Sequence, residues 1–152
     1  MGRFSKAAKS EVYKDGEYFP CITATYNVTV TTAEAVDGDN LAFKMTVKVD
    51  EVLGGNPKEV DSKGLMLPDA GVEREWWCNL SNKAGPPDFK KFIDMIGKAI
   101  DEDVSTEATF NAFCERIVGD QAIKGLKLGL RTYNKPTQVG GDFTKHCWSI
   151  RG

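Results

Sequence analysis

Two stretches of the chain alternate strictly between apolar and polar residues, and this alternation limits the folds that the sequence can adopt. In the first stretch, Tyr26, Val28 and Val30 are separated by Asn and Thr; in the second, every odd position from 41 to 49 is apolar. A period of two is expected of a β-strand with one buried face. Residues 37–40, Asp-Gly-Asp-Asn, form a turn signal between the stretches. The two stretches therefore predict an antiparallel β-hairpin.

A third strand is predicted over residues 72–80. Its alternation places Trp76 on the same face as Cys78 and places Trp77 on the opposite face. A long polar connection over residues 54–71, with two prolines, precedes this strand. Connections of that length are uncommon, and they are either functional or loosely ordered.

Two amphipathic helices are predicted next. Pro86-Pro87-Asp88 suits the first turn of a helix, and the apolar residues after it recur at i, i+3, i+4 and i+7 up to Ile100. Ser105 or Thr106 can cap the second helix, and Gly119 can end it.

The predicted order of elements defines the fold class. The last two strands come from residues 126–131 and 143–150, which flank a glycine-rich loop. Three strands, two helices and two strands is the order of an oligonucleotide-binding (OB) barrel, although other small barrels and open α+β sheets share it. We predict a β-rich α+β fold, a five-stranded OB-like barrel with two helices inserted between strands 3 and 4. A mobile arm over residues 1–16 would precede a single OB-like domain over 17–152.

The cysteines and the N-terminus predict a cytoplasmic protein, in the host cytoplasm if the protein is viral. Cys21, Cys78, Cys114 and Cys147 are scattered and include no CxxC pair, so buried, reduced thiols are expected rather than a disulfide framework. The basic N-terminus lacks the apolar core of a secretory signal. Apolar stretches are short and interrupted, so no membrane span is predicted.

No catalytic or metal-binding constellation is visible in the sequence. The single histidine, His146, neighbours Cys147, but adjacent residues of a strand point to opposite faces. No residues have zinc-site spacing, and the glycine-rich segments lack the context of a phosphate loop. We therefore expect no enzyme, no cofactor and no metal. The remaining enzymatic alternative is a site assembled from Glu73, Glu75 or His146.

Basic and aromatic residues on the outward strand positions point to a binding function. Cations that hold the backbone, together with flat side chains on which bases stack, are typical of sites for single-stranded nucleic acid. The net charge of −2 argues against a generic duplex-DNA binder. Gly129 leaves bare backbone between two cations, which favours close approach by a ligand. The candidates on predicted strands are Lys44, Lys48, Trp77, Lys127, Arg131 and Tyr133, and Lys135 is a further candidate in the predicted loop after the fourth strand. The competing interpretation is that the lysines only solvate the sheet and the tryptophans serve the core.

The patterned segments together resemble small bacteriophage-type single-stranded-DNA-binding proteins. The resemblance spans about residues 18–150 and consists of element order and patterning over Tyr26–Val30, Leu41–Val49, Trp76–Leu80, Pro86–Ile100 and Gly125–Tyr133. It implies an OB barrel without a cofactor that coats exposed DNA during replication or recombination. Many such proteins end in an acidic tail, whereas this chain ends Trp-Ser-Ile-Arg-Gly.

The sequence thus favours a protein that binds single-stranded DNA, in preference to RNA, without strong sequence preference. It allows a homo-oligomer. Trp77 and Tyr133 are expected on neighbouring strands, where they would form a stacking platform with Arg131. The alternative is a protein-binding module, a viral accessory or assembly protein without nucleic-acid contact.

Overall fold

The computed structural model describes residues 18–136 and 142–151. The predicted arm over residues 1–16 lies outside these ranges. In chain order the elements are β1 (Ala24–Val36), β2 (Ala42–Gly54), β3 (Glu73–Asn79), α1 (Gly85–Ala99), α2 (Glu107–Gly119), β4 (Lys127–Pro136) and β5 (Asp142–Ile150). The predicted order of strands and helices is therefore confirmed.

The five strands form one antiparallel sheet with the order β3-β2-β1-β4-β5. The central strand, β1, pairs with β2 over Thr25–Val36 and with β4 only over Ala24–Thr29. The β1–β2 register shifts at three places, and such irregularities bend and twist a sheet. The sheet does not close, since β3 and β5 are its edges. The β-rich α+β class is confirmed, whereas a closed barrel is not observed.

A short segment before β1 contacts strands on both sides of the opening. Tyr18 forms a parallel bridge with Glu75 of β3, and the Phe19 ring lies 6.0 Å from the ring of His146 on β5. The Oγ1 hydroxyl of Thr132 on β4 donates a 2.8 Å hydrogen bond to the carbonyl of Ile22. These contacts attach the segment to β3, β4 and β5.

The inward faces of the strands and one side of each helix form a single core. The alternation predicted for β3 is confirmed, because Trp76 is 6% exposed and Trp77 is 42% exposed. α1 packs on β3 and β5, whereas α2 packs on β1. The fully buried large side chains include Tyr26, Val28, Val30, Met45, Val47, Ile93, Ile96, Phe113, Ile117, Leu128 and Leu130.

The helix termini follow the sequence signals, except that α1 begins one residue before the predicted start. Prolines occupy the first turn of α1, but the helix begins one residue earlier, at Gly85. Thr106, one of the two predicted caps, accepts a 3.1 Å hydrogen bond from the Thr109 backbone N–H and starts α2. Gly119 is the last residue of α2, as predicted.

The 54–71 connection is anchored to the body of the protein. Both carboxylate oxygens of Asp61 accept backbone hydrogen bonds, from Lys63 at 2.9 Å, Leu65 at 2.8 Å and Cys21 at 3.0 Å. Leu65 is 3% exposed and belongs to the buried residues. One carboxylate therefore holds this connection against the segment before β1.

All four cysteines are free thiols, as predicted, but only Cys78 of the four is buried. Neither described helix is long and apolar enough to cross a membrane.

Candidate nucleic-acid interface

The outward face of β4 carries four of the seven predicted binding residues in a row. Leu128, Leu130 and Thr132 are buried, so the positions that alternate with them before, between and after point away from the core. We call this set the β4 row; it consists of Lys127, Arg131, Tyr133 and Lys135. The Arg131 guanidinium lies 5.9 Å from the centre of the Tyr133 ring, a cation–π distance. The row combines cations with one planar aromatic side chain.

The strands beside β4 place few charges opposite the β4 row. On β1, Thr29 lies opposite Lys127 and Thr25 lies opposite Arg131. On β5, Cys147 lies opposite Arg131, and Phe143 lies opposite Lys135. Among the described residues, the three cations of the row make no ion pair. Their charges are therefore available to an anionic ligand.

Lys48 extends this cationic surface across β1. Thr29 is the cross-strand partner of both Lys48 on β2 and Lys127 on β4, so one strand separates the two ammonium groups. Asp50 lies near this point, but its carboxylate is held by the Thr29 hydroxyl and by the Arg151 guanidinium at 2.7 Å. Burial raises the pKa of Asp50, but the hydrogen bonds from Thr29 and Arg151, together with the positive charges of Arg151 and Lys48, outweigh it, and the net pKa is lowered.

Gly129 has a different role from the one predicted. A Cβ atom at this position would lie 2.6 Å from the Oγ of Ser149 on β5. The space above the backbone is therefore occupied by a neighbouring side chain of the same sheet. Gly129 is explained by the approach of Ser149 and gives no support to a ligand contact.

Lys44 and Trp77 form a separate group on β2 and β3. They are cross-strand partners, and the Lys44 ammonium lies 5.5 Å from the centre of the Trp77 ring. Lys44 also makes ion pairs of 3.2 Å with Glu75 and 3.9 Å with Glu34. The Trp77 indole N–H donates a 3.3 Å hydrogen bond to Glu75. Two carboxylates beside one ammonium make this group a poor site for phosphate.

The expected single platform of Trp77 and Tyr133 does not form. β2 and β1 lie between β3 and β4 in the sheet. Trp77 is level with Glu34, near the C-terminal end of β1, through Lys44. Tyr133 lies just beyond the pair of Thr132 with Ala24, at the other end of β1. The prediction that both side chains point outward was correct, but the prediction that Trp77 and Tyr133 lie on adjacent strands was wrong.

A cleft between the edge strands and α1 was not predicted. It encloses about 220 Å³ and is lined by Trp76, Asp88, Lys91, Phe92, Met95, Lys145, His146, Cys147 and Trp148. The Trp76 and Trp148 ring centres are 5.3 Å apart, and the His146 and Trp148 rings stack at 6.1 Å with an angle of 16°. We call this the seam cleft. Its sequence signal was the alternation of β5, which places His146 and Trp148 on one face.

Hydrogen bonding in the seam cleft is incomplete. His146 Nδ1 lies 3.2 Å from the Thr144 carbonyl; a carbonyl only accepts, so Nδ1 carries the proton and Nε2 is an acceptor. Within the described structure, His146 Nε2 and Trp148 Nε1 are buried and have no hydrogen-bond partner. Burial lowers the pKa of His146 to about 4, so the ring is neutral at pH 7.

Two of the thiols, those of Cys78 and Cys114, are in environments that suppress ionisation. Cys78 Sγ donates to the Gly85 carbonyl at 3.3 Å, and burial raises the pKa of this thiol to about 11. Burial likewise raises the pKa of Cys114 to about 11. Thiolates are therefore scarce at both positions near neutral pH. Over residues 18–136 and 142–151, no group of three or more potential ligands is placed to hold a metal ion.

No protein-family model matches this sequence, and no curated protein is significantly similar to it. The function of the chain is therefore inferred from its residues and their arrangement.

Proposed function

We propose that this protein binds single-stranded DNA without strong sequence preference, with the β4 row as its principal contact. The observation that carries the proposal is the row itself, in which three cations without ion pairs among the described residues accompany Tyr133. Ammonium and guanidinium groups neutralise phosphates, and an aromatic ring stacks on any base. Neither contact reads the base sequence, so binding is sequence-tolerant.

The topology supports the same proposal. The order β3-β2-β1-β4-β5 is that of an OB barrel opened between its third and fifth strands, and OB barrels are partly open structures that bind oligonucleotides. Both helices lie between β3 and β4, as the OB-like prediction requires. We extend the proposal to an OB-like domain that coats exposed DNA during bacteriophage replication or recombination, as the sequence resemblance implies.

The seven candidates have unequal roles in this proposal. Lys48 contributes to the same contact as the β4 row, because only one strand separates it from Lys127. Lys44 and Trp77 form a secondary contact, since Glu34 and Glu75 already neutralise Lys44. The bound DNA strand would therefore run along β4 and cross β1 towards Lys48.

Titration of a fluorescein-labelled oligothymidylate at several salt concentrations tests the proposal. Each neutralised phosphate contributes about −0.7 to the slope of log K against log salt. Engagement of Lys48 and the three cations of the β4 row gives a slope of about −2 to −3. The triple variant Lys127→Gln, Arg131→Gln, Lys135→Gln should weaken binding strongly and reduce the slope by about 2.

The matched control removes the same charge elsewhere. Lys58, Lys98 and Lys124 are exposed, and their simultaneous replacement by Gln should leave most of the affinity and slope. Equal losses in both triple variants would mean that net charge alone attracts the DNA, and the β4 row would lose its role. No binding at low salt would overturn the proposal and favour the alternative, a protein-binding module.

A further inference from the structure

The Arg151 side chain reaches from the end of β5 to β1 and β2. The Arg151 backbone N–H donates to the Lys127 carbonyl at 3.3 Å and continues the pairing of β5 with β4. The guanidinium Nη2 donates to the Asp50 carboxylate at 2.7 Å and to the Val28 carbonyl at 3.1 Å, and it lies 3.4 Å from the Thr29 hydroxyl. One guanidinium group therefore connects three strands at a single point of the sheet.

The Asp50 carboxylate lies on the outward side of the sheet, close to two lysines of the proposed DNA contact. Val49 is buried, so Lys48 and Asp50 both point outward from β2. Thr29 of β1 donates a 2.5 Å hydrogen bond to Asp50, and it is the cross-strand partner of Lys48 on β2 and of Lys127 on β4. The carboxylate therefore lies beside the position that the two lysines flank.

Arg151 is the cation that holds this carboxylate. The side chains of Arg151 and Asp50 are 22% and 27% exposed, whereas Lys48 and Lys127 make no ion pair with any described residue. Burial raises the pKa of Asp50, but hydrogen bonds from Thr29 and Arg151 and the charges of Arg151 and Lys48 lower it. Lys48 therefore lies within electrostatic range of Asp50, although the ion pair is made by Arg151.

We propose that Arg151 is a positioning residue for DNA: it holds Asp50 and leaves Lys48 and Lys127 free to bind one phosphate group. This inference rests on the proposed function. Neighbouring strands lie about 4.8 Å apart, so β2 and β4 are about 10 Å apart at Thr29. Two flexible lysine side chains can meet one phosphate across that distance. Without Arg151, the Asp50 carboxylate would pair with one of the two lysines and repel the phosphate.

A double-mutant comparison tests the proposal by oligothymidylate titration. Arg151→Gln should weaken binding about 2- to 5-fold more than Lys98→Gln does, because each variant loses one positive charge but only the first releases Asp50. Lys98 is exposed on α1 and provides the matched control. Adding Asp50→Asn to Arg151→Gln should return the affinity to that of the wild type, since it restores the net charge and removes the carboxylate that would pair with the lysines.

The added Asp50→Asn substitution separates positioning from the other roles that Arg151 could have. If Arg151 bound a phosphate itself, or only stabilised the fold, the double variant would bind as weakly as Arg151→Gln. That outcome, or equal losses in Arg151→Gln and Lys98→Gln, would overturn the proposal. Should Arg151→Gln fail to fold, Arg151→Met, which keeps a long side chain without the charge, replaces it in the same comparison.

Acetylation of the lysines without DNA separates this inference from the proposed function. Acetic anhydride labels unprotonated amines, and an ion-paired lysine reacts more slowly because the pairing favours its protonated form. Mass spectrometry should show that Lys48 or Lys127 reacts more slowly in Arg151→Gln than in the wild type and recovers in the double variant, with Lys98 as the reference. If oligothymidylate binds but neither lysine changes, the role of Arg151 is wrong and the proposed function stands. If the lysines react as expected but no oligothymidylate binds at low salt, Arg151 controls Asp50 and the proposed function is wrong.

Discussion

At the scale of single residues, Trp76 and Trp77 show how strand alternation gives adjacent residues opposite roles. Trp76 is 6% exposed and packs its ring 5.1 Å from that of Phe92, whereas Trp77 is 42% exposed. Trp76→Ala should lower the free energy of unfolding by about 3–5 kcal/mol, and Trp77→Ala should change it by less than about 1 kcal/mol. Urea unfolding curves of both variants measure this difference. Comparable losses would show that the face assignment of β3 is wrong.

Tyr133 is the aromatic residue that we expect to stack on DNA. Stacking on a side chain contributes about 1–3 kcal/mol per base, so Tyr133→Ala should weaken oligonucleotide binding about 5- to 100-fold. Tyr133→Phe keeps the ring and should retain most of the affinity. Trp77→Ala should have a smaller effect, because Lys44 covers the Trp77 ring and carboxylates adjoin it. Anisotropy titrations at one salt concentration compare the three variants. A larger effect of Trp77→Ala would place the principal contact on β3.

His146 should make stability depend on pH below neutrality. Burial lowers the pKa of His146 to about 4 from an ordinary 6.5; the backbone contact with Thr144 raises it, Lys145 lowers it further and Asp88 raises it. The unfolded chain therefore binds more protons between pH 6.5 and 4, and stability falls as the pH decreases through that window.

The difference between wild type and His146→Gln isolates this effect, because the chain has one histidine. Between pH 7 and 5, the wild type should lose up to about 2 kcal/mol more than the variant. The loss is an upper bound, since His146 as a whole residue is only partly buried. Denaturant unfolding at the two pH values measures it. Equal losses in the two proteins would mean that His146 titrates normally.

At the scale of elements, the connection from β3 to α1 depends on Gly85. A Cβ atom there would lie 1.5 Å from the backbone oxygen of Asn79, and backbone atoms cannot move as a flexible side chain can. Gly85→Ala should displace α1 from β3 and cost more than about 2 kcal/mol. Gly119→Ala is the control: nothing lies within 4 Å of its added Cβ, and alanine is the better helix former. Thermal unfolding of both variants checks the prediction, and an unchanged Tm for Gly85→Ala would contradict it.

At the scale of the whole molecule, the sheet is open between its edge strands, β3 and β5. At this opening β3, β5, α1 and the segment before β1 surround one aromatic cluster. Trp76 of β3 contacts Trp148 of β5, and Phe19 contacts His146. An open sheet leaves edge strands that must be covered, and side chains cover them here. The seam cleft lies at the same opening.

The redox state is a further whole-molecule property that can be tested. All four cysteines are free, so denatured, non-reduced protein should give four reactive thiols in a DTNB assay. In the native protein Cys78 should react slowest, because it is buried, unlike the other three, and its pKa is raised to about 11. Fewer than four thiols in the denatured protein would show a disulfide.

The sequence alone determined the properties that depend on local periodicity and local chemistry. Alternation identified the strands and their buried faces, and helical spacing, prolines and the Thr106 cap located both helices. These signals suffice because an element buries one face whatever its neighbours are. They also gave the outward positions of Lys127, Arg131 and Tyr133, whereas Lys135 was expected in the loop after the strand and lies on β4 instead.

Only the tertiary structure decided which elements are neighbours and what each outward residue meets. Strand order separated Trp77 from Tyr133, and cross-strand contacts paired Lys44 with Glu75 and filled the space above Gly129 with Ser149. The seam cleft likewise needs β3, β5 and α1 together. Periodicity cannot give such contacts, because pairing between strands depends on long-range packing that no single segment encodes.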